Sequence, residues 1–483
     1  MKSQQNTRRQ FLTQMGLGAT GLAFAQCGTA GSAKRPNILF FFTDDQRFDT
    51  IHALGNEQII TPNMDALVAR GVTFTQNHIL GSNSGAVCAP SRAMLMTGAP
   101  YFKLGNDIRE IWKAPPEQEG GDYESWPEML RKSGYHTFGT GKQHNGRPLF
   151  ARQFSYGENI FFGGMSDHLE VPINDFDPTG AYSKEDIYPG AKFSSELFSD
   201  AAVNFLQQHD GVNPFAMYIS YTAPHDPRMA PEQYKQMYNP VDIPVPENFM
   251  AEHSFDNGEL VIRDEKLAPF PRTREIVQEH IAAYYAMITH VDAQIGRVMQ
   301  ALEATGEADN TIIIFAGDNG LAVGQHGLMG KQNLYDHSVR VPLVISGPGI
   351  PRGESRDTLC YLYDLCPTIC ELAGAEVPAI SEGNSLVPAL HHASHTNREY
   401  LYGAYKDYQR SIKDGRYKLI EYAVNGTRTT QLFDLQKDPK ELLNLADDRQ
   451  YTDHLRNLRD ALQAMRPAVG DQDGAFWDVF NRN

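Results

Sequence analysis

Residues 37–45 read NILFFFTDD, an uninterrupted apolar run that ends in two aspartates. A half-exposed strand alternates apolar and polar side chains, whereas a strand covered on both faces does not. The run therefore predicts a central strand with helices on both sides. Asp44 and Asp45 would follow its carboxyl end, which is where open α/β sheets bind their ligands.

Further apolar segments of the same kind follow along the chain, separated by helical patterns. The predicted strands cover residues 135–140, 215–221, 311–316 and 341–345. One helix is predicted to begin at Thr61-Pro62 and end at Gly71, and a longer one spans 276–302. Strands that alternate with helices predict an α/β fold with a central, mostly parallel mixed sheet flanked by helices.

The alternation of predicted strands and helices ends at about residue 397. Short strands over 399–405, 410–422 and 430–435, joined by tight turns, precede a helix over 451–465. This predicts a small C-terminal α+β subdomain with an antiparallel sheet. The sequence thus divides into a leading segment (1–33), a large domain (34–396) and a subdomain (397–483).

The leading segment contains Arg8-Arg9 before a mildly apolar, Gly/Ala-rich run. It resembles a twin-arginine export signal, which implies the twin-arginine machinery as a partner and a periplasmic or extracellular location. The alternative is a disordered cytosolic tail. Residues 23–25 offer a cleavage site, and Cys27 is a second candidate, as a lipid-anchored first residue, although its neighbours fit that motif poorly.

The balance of charge narrows the class of partner. The chain has 43 Lys and Arg against 59 Asp and Glu, a net charge of −16. Such a surplus argues against binding to nucleic acid or to an anionic membrane surface. An anionic ligand would have to meet a local concentration of positive charge. Downstream of the leading segment no apolar run is long enough to span a bilayer, so no stable membrane span is expected.

Polar residues follow several predicted strands at the point where each one ends. The four segments are Asp44-Asp45, Gly141-Lys142-Gln143-His144, Pro224-His225-Asp226-Pro227 and Gly317-Asp318-Asn319-Gly320. Because the carboxyl ends of parallel strands meet at one edge of a sheet, these segments are predicted to converge.

Four of these residues offer hard oxygen ligands: Asp44, Asp45, Asp318 and Asn319. Carboxylate and amide oxygens suit calcium or magnesium, whereas zinc prefers nitrogen and sulfur. An isolated Asp-Asp pair is more often a turn or a helix cap. Two such pairs at the ends of two strands predict a metal site, with Ca²⁺ expected before Mg²⁺.

The chain has five cysteines, none with CxxC spacing, and Cys88 stands in the segment Cys88-Ala89-Pro90-Ser91-Arg92. Here the sequence resembles the sulfatase family of the alkaline-phosphatase-like superfamily. The resemblance runs from about residue 37 to 445 and includes the four strand-end segments and residues 330–335. In that family the C-x-P-x-R motif directs a formylglycine-generating maturation enzyme to oxidise the cysteine to formylglycine.

The resemblance implies a role for each matching residue. Residue 88, as a hydrated aldehyde, would contact the metal and attack sulfur with one hydroxyl beside Arg92, and its second hydroxyl would later expel sulfate. The other implied roles are binding of the sulfate oxygens (Lys142, Lys331), the base that releases sulfate (His144) and the acid for the leaving oxygen (His225). Gln143 departs from the tryptophan frequent in the family. His326 and Arg410 are weaker candidates for contact with the substrate.

The expected activity is hydrolysis of a sulfate ester, with a sulfated small molecule or oligosaccharide as the substrate. A sugar or polysaccharide fragment is favoured by analogy with the family. The main alternative is a phosphonate monoester or phosphodiester hydrolase of the same superfamily. A thiol hydrolase using Cys88 and a silent sulfate-binding protein are further alternatives.

Overall fold

The computed structural model describes residues 34–105, 123–472 and 474–482. The strands are β1 (Asn37–Thr43), β2 (Gly71–Phe74), β3 (Asn77–His78), β4 (Gly81–Ser82), β5 (His136–Lys142), β6 (Tyr156–Phe161), β7 (Pro172–Ile173), β8 (Tyr188–Pro189), β9 (Phe215–Ser220), β10 (Thr311–Gly317), β11 (Leu343–Ser346), β12 (Glu354–Arg356), β13 (Cys360–Tyr361), β14 (Leu401–Tyr405), β15 (Gln409–Lys413), β16 (Tyr417–Val424) and β17 (Thr427–Asp434).

The helices alternate with the strands of the large sheet and then close the chain. They are α1 (Pro62–Arg70), α2 (Cys88–Thr97), α3 (Trp126–Lys132), α4 (Arg147–Gln153), α5 (Ser194–Gln208), α6 (Glu232–Lys235), α7 (Arg274–Ala304), α8 (Asp336–Val339), α9 (Leu365–Ala373), α10 (Val387–His391), α11 (Thr452–Val469) and α12 (Gly474–Phe480). The predicted helices match α1, α7 and α11, whereas α12 was not predicted.

The large sheet has the strand order β12-β2-β11-β10-β1-β9-β5-β6 among the described residues. β1 lies at its centre and pairs in parallel with β10 and β9. β5 pairs in parallel with β9, whereas β11 is antiparallel to both β10 and β2. The predicted mixed, mostly parallel sheet is therefore confirmed, and β1, β5, β9 and β10 all end at one edge.

Every residue of β1 is buried, and successive side chains enter two different cores. Phe40 and Phe42 pack in the core on one face, whereas Leu39 and Phe41 pack in the core that includes residues of α7. Side chains of a strand alternate between faces, so both sets must be apolar when helices cover both faces. This explains the uninterrupted apolar run.

A second sheet follows the large one and has the order β17-β16-β15-β14-β4. Its neighbours from β14 to β17 are antiparallel, as predicted, but β14 also pairs in parallel with β4 from residues 81–82. The fold is therefore α/β with a C-terminal antiparallel sheet. The domain boundary at residue 397 stays a prediction, because this sheet takes one strand from before it.

The export signal predicted over residues 1–33, with the candidate lipid site Cys27, lies outside the described residues. None of the helices within the described ranges is long and apolar enough to cross a membrane.

A buried charge cluster joins the second sheet to the large domain. Asp336 accepts hydrogen bonds from Lys413 (2.9 Å) and Lys418 (2.8 Å), and Lys418 also contacts Glu441 at 2.8 Å. His78 lies 3.6 Å from Asp336. Although burial opposes ionisation of Asp336, Lys413 and Lys418 hold its pKa well below the usual range. Its charge therefore offsets two buried ammonium groups.

Asp336→Asn is expected to destabilise the protein by about 3–5 kcal/mol, because two buried lysines would lose their counter-charge. A thermal unfolding scan would show this as a lowered Tm. Asp453→Asn is the matched control, because Asp453 forms an ion pair with Arg456 on the exposed surface of α11. An Asp336→Asn variant that melts with the wild-type protein would contradict the role given to the cluster.

Candidate active site

The carboxyl ends of β1 and β10 bring four predicted oxygen ligands together. The amide N–H of Asp45 donates to Oδ1 of Asp318 at 2.9 Å, and Nδ2 of Asn319 donates to Oδ1 of Asp45 at 2.7 Å. Asp44 completes the set, and all four side chains are buried. Parallel pairing of the two strands, which the sequence pattern predicted, produces this convergence.

The geometry of this set fits a hard cation. Oδ1 of Asp44 and Oδ1 of Asn319 are buried without a hydrogen-bond partner among the described residues. Native proteins seldom leave such atoms unpaired, so a ligand for them is expected. Candidate ligand atoms of Asp44, Cys88 and Asp318 all lie within 4.8 Å of one another. Burial raises the pKa of Asp318, and the nearby Asp44 adds to this effect.

Cys88 is the first residue of α2, and α2 ends before Gly98 in a left-handed cap. Its Sγ lies 3.3 Å from Nδ1 of His144. Burial raises the pKa of the Cys88 thiol. The N-terminus of α2 contributes a positive partial charge at residue 88, which favours a negatively charged group there.

Arg92 connects Asp318, one of the four predicted oxygen ligands, to the neighbouring strands β5 and β9. Its Nε donates to Oδ2 of Asp318 at 3.1 Å, and its NH1 donates to the carbonyl oxygen of Lys142 at 3.1 Å. NH1 also donates to Oγ of Ser220 at 2.5 Å, a contact that no motif in the sequence indicated. Arg92 is fully buried, and its hydrogen bonds to both strands and to Asp318 hold the Asp318 carboxylate in place.

Two predicted lysines pair with the aspartates that follow β1. Lys142 contacts Asp44, and Lys331 contacts Asp45. Although burial disfavours the charged ammonium of Lys331, the Asp45 carboxylate holds its pKa well above the usual range. The three carboxylates of the set thus face the three cations Arg92, Lys142 and Lys331. A bound divalent cation would leave an excess of positive charge for an anionic ester.

His225 approaches the site from the loop that follows β9. Its Nδ1 donates to the carbonyl oxygen of Asp226 at 2.7 Å, and its Nε2 lies 3.7 Å from Oδ2 of Asp45. Arg263 binds the carboxylate of Asp226 through both terminal nitrogens. Although burial opposes ionisation, Arg263 lowers the pKa of Asp226 to about 2. The imidazole is thereby fixed with Nε2 toward the aspartates.

Two site residues adopt backbone conformations that L-residues seldom adopt. Asp45 has φ 65° and His144 has φ 57°. Such conformations cost of order 1–3 kcal/mol and persist where surrounding contacts impose them. Gly141 also has a positive φ, and a Cβ there would lie 2.0 Å from the carbonyl oxygen of Ser220. The glycine before Lys142 is therefore required by the close approach of β9.

A cavity of about 800 Å³ opens onto this edge of the sheet. Of the predicted residues, those lining it are Cys88, His144, His225 and Lys331, whereas Arg92, Lys142 and the four oxygen ligands lie behind them. The rest of its wall comes mainly from residues 161–165, 182–187 and 262–264. Residues 262–264 belong to the Pro-rich segment between residues 226 and 274, which therefore contributes to the cavity wall. Residues 161–165 and 182–187 carry no motif, so the sequence did not indicate that they would line the cavity.

His326 and Arg410 are not among the residues that line this cavity. His326 stacks on Tyr335 with ring centres 3.9 Å apart, and its Nε2 lies 3.0 Å from the carbonyl oxygen of Glu441. Arg410 is fully buried and pairs with Asp471. Both are packing residues in this structure.

Comparisons with known proteins agree with this geometry. The sulfatase family profile matches residues 36–375, and a C-terminal N-sulphoglucosamine sulphohydrolase profile matches residues 324–468. An N-acetylglucosamine-6-O-sulfatase of Bacteroides thetaiotaomicron is 26% identical, over 94% of this chain and 90% of the relative.

Two solved structures are similar in fold. BT4656 in complex with its substrate D-glucosamine-2-N,6-O-disulfate has a TM-score of 0.75 and 25% identity, covering 91% of this chain and 99% of that chain. A phosphonate monoester hydrolase of Agrobacterium radiobacter has a TM-score of 0.70 and 24% identity, and the match covers 90% of this chain and 96% of that chain. This second likeness shows the fold alone. The chain therefore belongs to the sulfatase family of the alkaline-phosphatase-like superfamily and is a sulfuric ester hydrolase.

Proposed function

We propose that the protein is an exported, calcium-dependent sulfatase that removes a sulfate ester from a sulfated sugar or polysaccharide fragment, using a formylglycine made from Cys88. The observation that carries the proposal is the position of Cys88 at the cavity, in contact with His144 and with its Sγ within 4.8 Å of carboxylate oxygens of Asp44 and Asp318. The sugar substrate is supported by the similarity to an N-acetylglucosamine-6-O-sulfatase and to BT4656, whose substrate is D-glucosamine-2-N,6-O-disulfate. Export is supported by the pattern of residues 1–33.

Two groups would complete the site. Formylglycine at residue 88, when hydrated, supplies a hydroxyl nucleophile that a thiol does not. A calcium ion held by Asp44, Asp45, Asp318 and Asn319, with residue 88 beside them, supplies Lewis-acid stabilisation of negative charge.

The remaining residues act on the substrate and on protons. Lys331 lines the cavity and would bind a sulfate oxygen, and Lys142 would add positive charge from behind Asp44. His144 would accept a proton at residue 88. His225, with Nδ1 engaged by the Asp226 carbonyl, would donate a proton from Nε2 to the leaving oxygen.

A phosphonate monoester or phosphodiester hydrolase remains the second candidate, favoured by the shared fold of the phosphonate monoester hydrolase. Matured protein should be assayed on matched sulfate, phosphate and phosphonate esters, and on a panel of defined sulfated sugars. We expect the highest kcat/KM on a sulfated sugar. Preference for a phosphonate or phosphodiester would overturn the proposal.

The metal assignment has its own test. Asp318→Asn is expected to lower turnover more than about 100-fold, since even outer-shell partners of metal ligands cost about 10–100-fold when replaced. Chelation of the wild-type protein should have the same effect, and calcium should restore activity better than magnesium. Asp309→Asn, on the exposed surface, is the control. Full turnover by metal-free protein would refute the assignment.

A further inference from the structure

We infer that His168 is a positioning residue for His225, an inference that rests on the acid role proposed for His225. His168 lies in the loop between β6 and β7 and is 3% exposed. Its Nε2–H donates to the carbonyl oxygen of His225 at 2.9 Å. The side chain thus holds the main chain of the proposed acid from a segment that no motif indicated.

The orientation of the His168 ring is fixed at its other nitrogen as well. A carbonyl oxygen can only accept, so Nε2 carries the proton and Nδ1 accepts in the neutral ring. Oγ of Ser194 lies 2.9 Å from Nδ1, and Oγ1 of Thr222 lies 3.2 Å from it. The two hydroxyls are 2.7 Å apart. Burial lowers the pKa of His168, which agrees with the neutral form.

These contacts connect α5 and the β6–β7 loop to the segment that carries His225. Ser194 is the first residue of α5, and Thr222 lies in the loop that follows β9 and carries His225. His225 is therefore held at its carbonyl oxygen by His168 and at Nδ1 by the Asp226 carbonyl. A displacement of about 1 Å at a catalytic group can cost roughly 10²-fold in rate. The geometry makes proton delivery to the leaving oxygen depend on His168.

The β6–β7 loop, which carries His168, also packs against His144. This contact allows a general disturbance of the loop to be distinguished from loss of the His168 side chain. A Cβ at Gly164 would lie 2.9 Å from the His144 imidazole, so the backbone approaches that ring closely. A general collapse of the loop would therefore disturb His144 and slow every substrate. Loss of the His168 side chain alone should affect only the step that needs a proton on the leaving oxygen.

The test compares His168→Ala, His168→Gln and Ser194→Ala in matured protein, on a sugar sulfate and on nitrophenyl sulfate. We expect His168→Ala to lower kcat on the sugar sulfate by about 10–100-fold, with KM and nitrophenyl sulfate turnover nearly unchanged. A nitrophenolate leaves without protonation, whereas a sugar alkoxide does not. Glutamine offers a donor and an acceptor, so His168→Gln should restore most of the loss.

Suppose that His225→Ala lowers kcat mainly on the sugar sulfate, whereas His168→Ala lowers kcat equally on both substrates. That result would overturn the inference about His168 and leave the acid role of His225 intact. An unselective His225→Ala would overturn both. If His168→Ala shows no cooperative unfolding transition, Ser194→Ala decides. A selective loss on the sugar sulfate then supports the inference, and an unselective loss or no loss overturns it.

Discussion

Cys88→Ala is expected to lower turnover of sulfate esters by roughly 10⁴-fold or more, because removal of a nucleophile leaves only binding and electrostatic effects. In the active wild-type protein, residue 88 should be formylglycine. The tryptic peptide of residues 71–92 should then be lighter than its encoded mass and should resist thiol alkylation, as mass spectrometry would show. Activity per mole should follow the converted fraction.

Cys370→Ala is the matched control, because Cys370 is also a buried free cysteine but lies in α9, away from the cavity. It should retain both the modification at residue 88 and the activity. A preparation that contains only unmodified thiol at residue 88 and yet has full activity would refute the proposal. That result would instead favour hydrolysis by the thiol.

His225→Ala is expected to depress turnover of a sugar sulfate by about 10²–10⁴-fold, the usual contribution of general acid catalysis. Turnover of nitrophenyl sulfate should fall far less, because its leaving group needs no proton. Steady-state kinetics on both substrates measure the difference. Equal losses would show that His225 positions the sulfate group and is not the acid.

His144→Ala provides the contrast. His144 lies beside Cys88 and not on the loop that carries His225, so its proton transfer at residue 88 is common to all esters. Turnover of both substrates should therefore slow to a similar extent.

Lys331 complicates the His225 result, because its ammonium also lines the cavity and could reach the leaving oxygen. In the double variant of His225 and Lys331, such compensation would appear as a loss greater than the product of the two single losses.

The central sheet and the residues that converge at its edge follow from short segments of sequence. An apolar run without alternation specifies a strand covered on both faces, and parallel strands place their carboxyl ends together. The convergence of Asp44 and Asp45 with Asp318 and Asn319 followed from that rule. The end of α2 is also local information, since Gly98 adopts the left-handed conformation of its C-terminal cap.

The cavity wall and the contacts that support the site depend instead on how the whole chain folds. Residues 161–165 and 182–187 carry no periodic pattern, and their position depends on packing against distant segments. The contact of His168 with the His225 carbonyl joins residues 57 positions apart. The second sheet likewise recruits β4, which lies more than 300 residues earlier in the chain. Such contacts are selected by the packing of whole elements, because no short segment encodes which distant backbone group its side chains will meet.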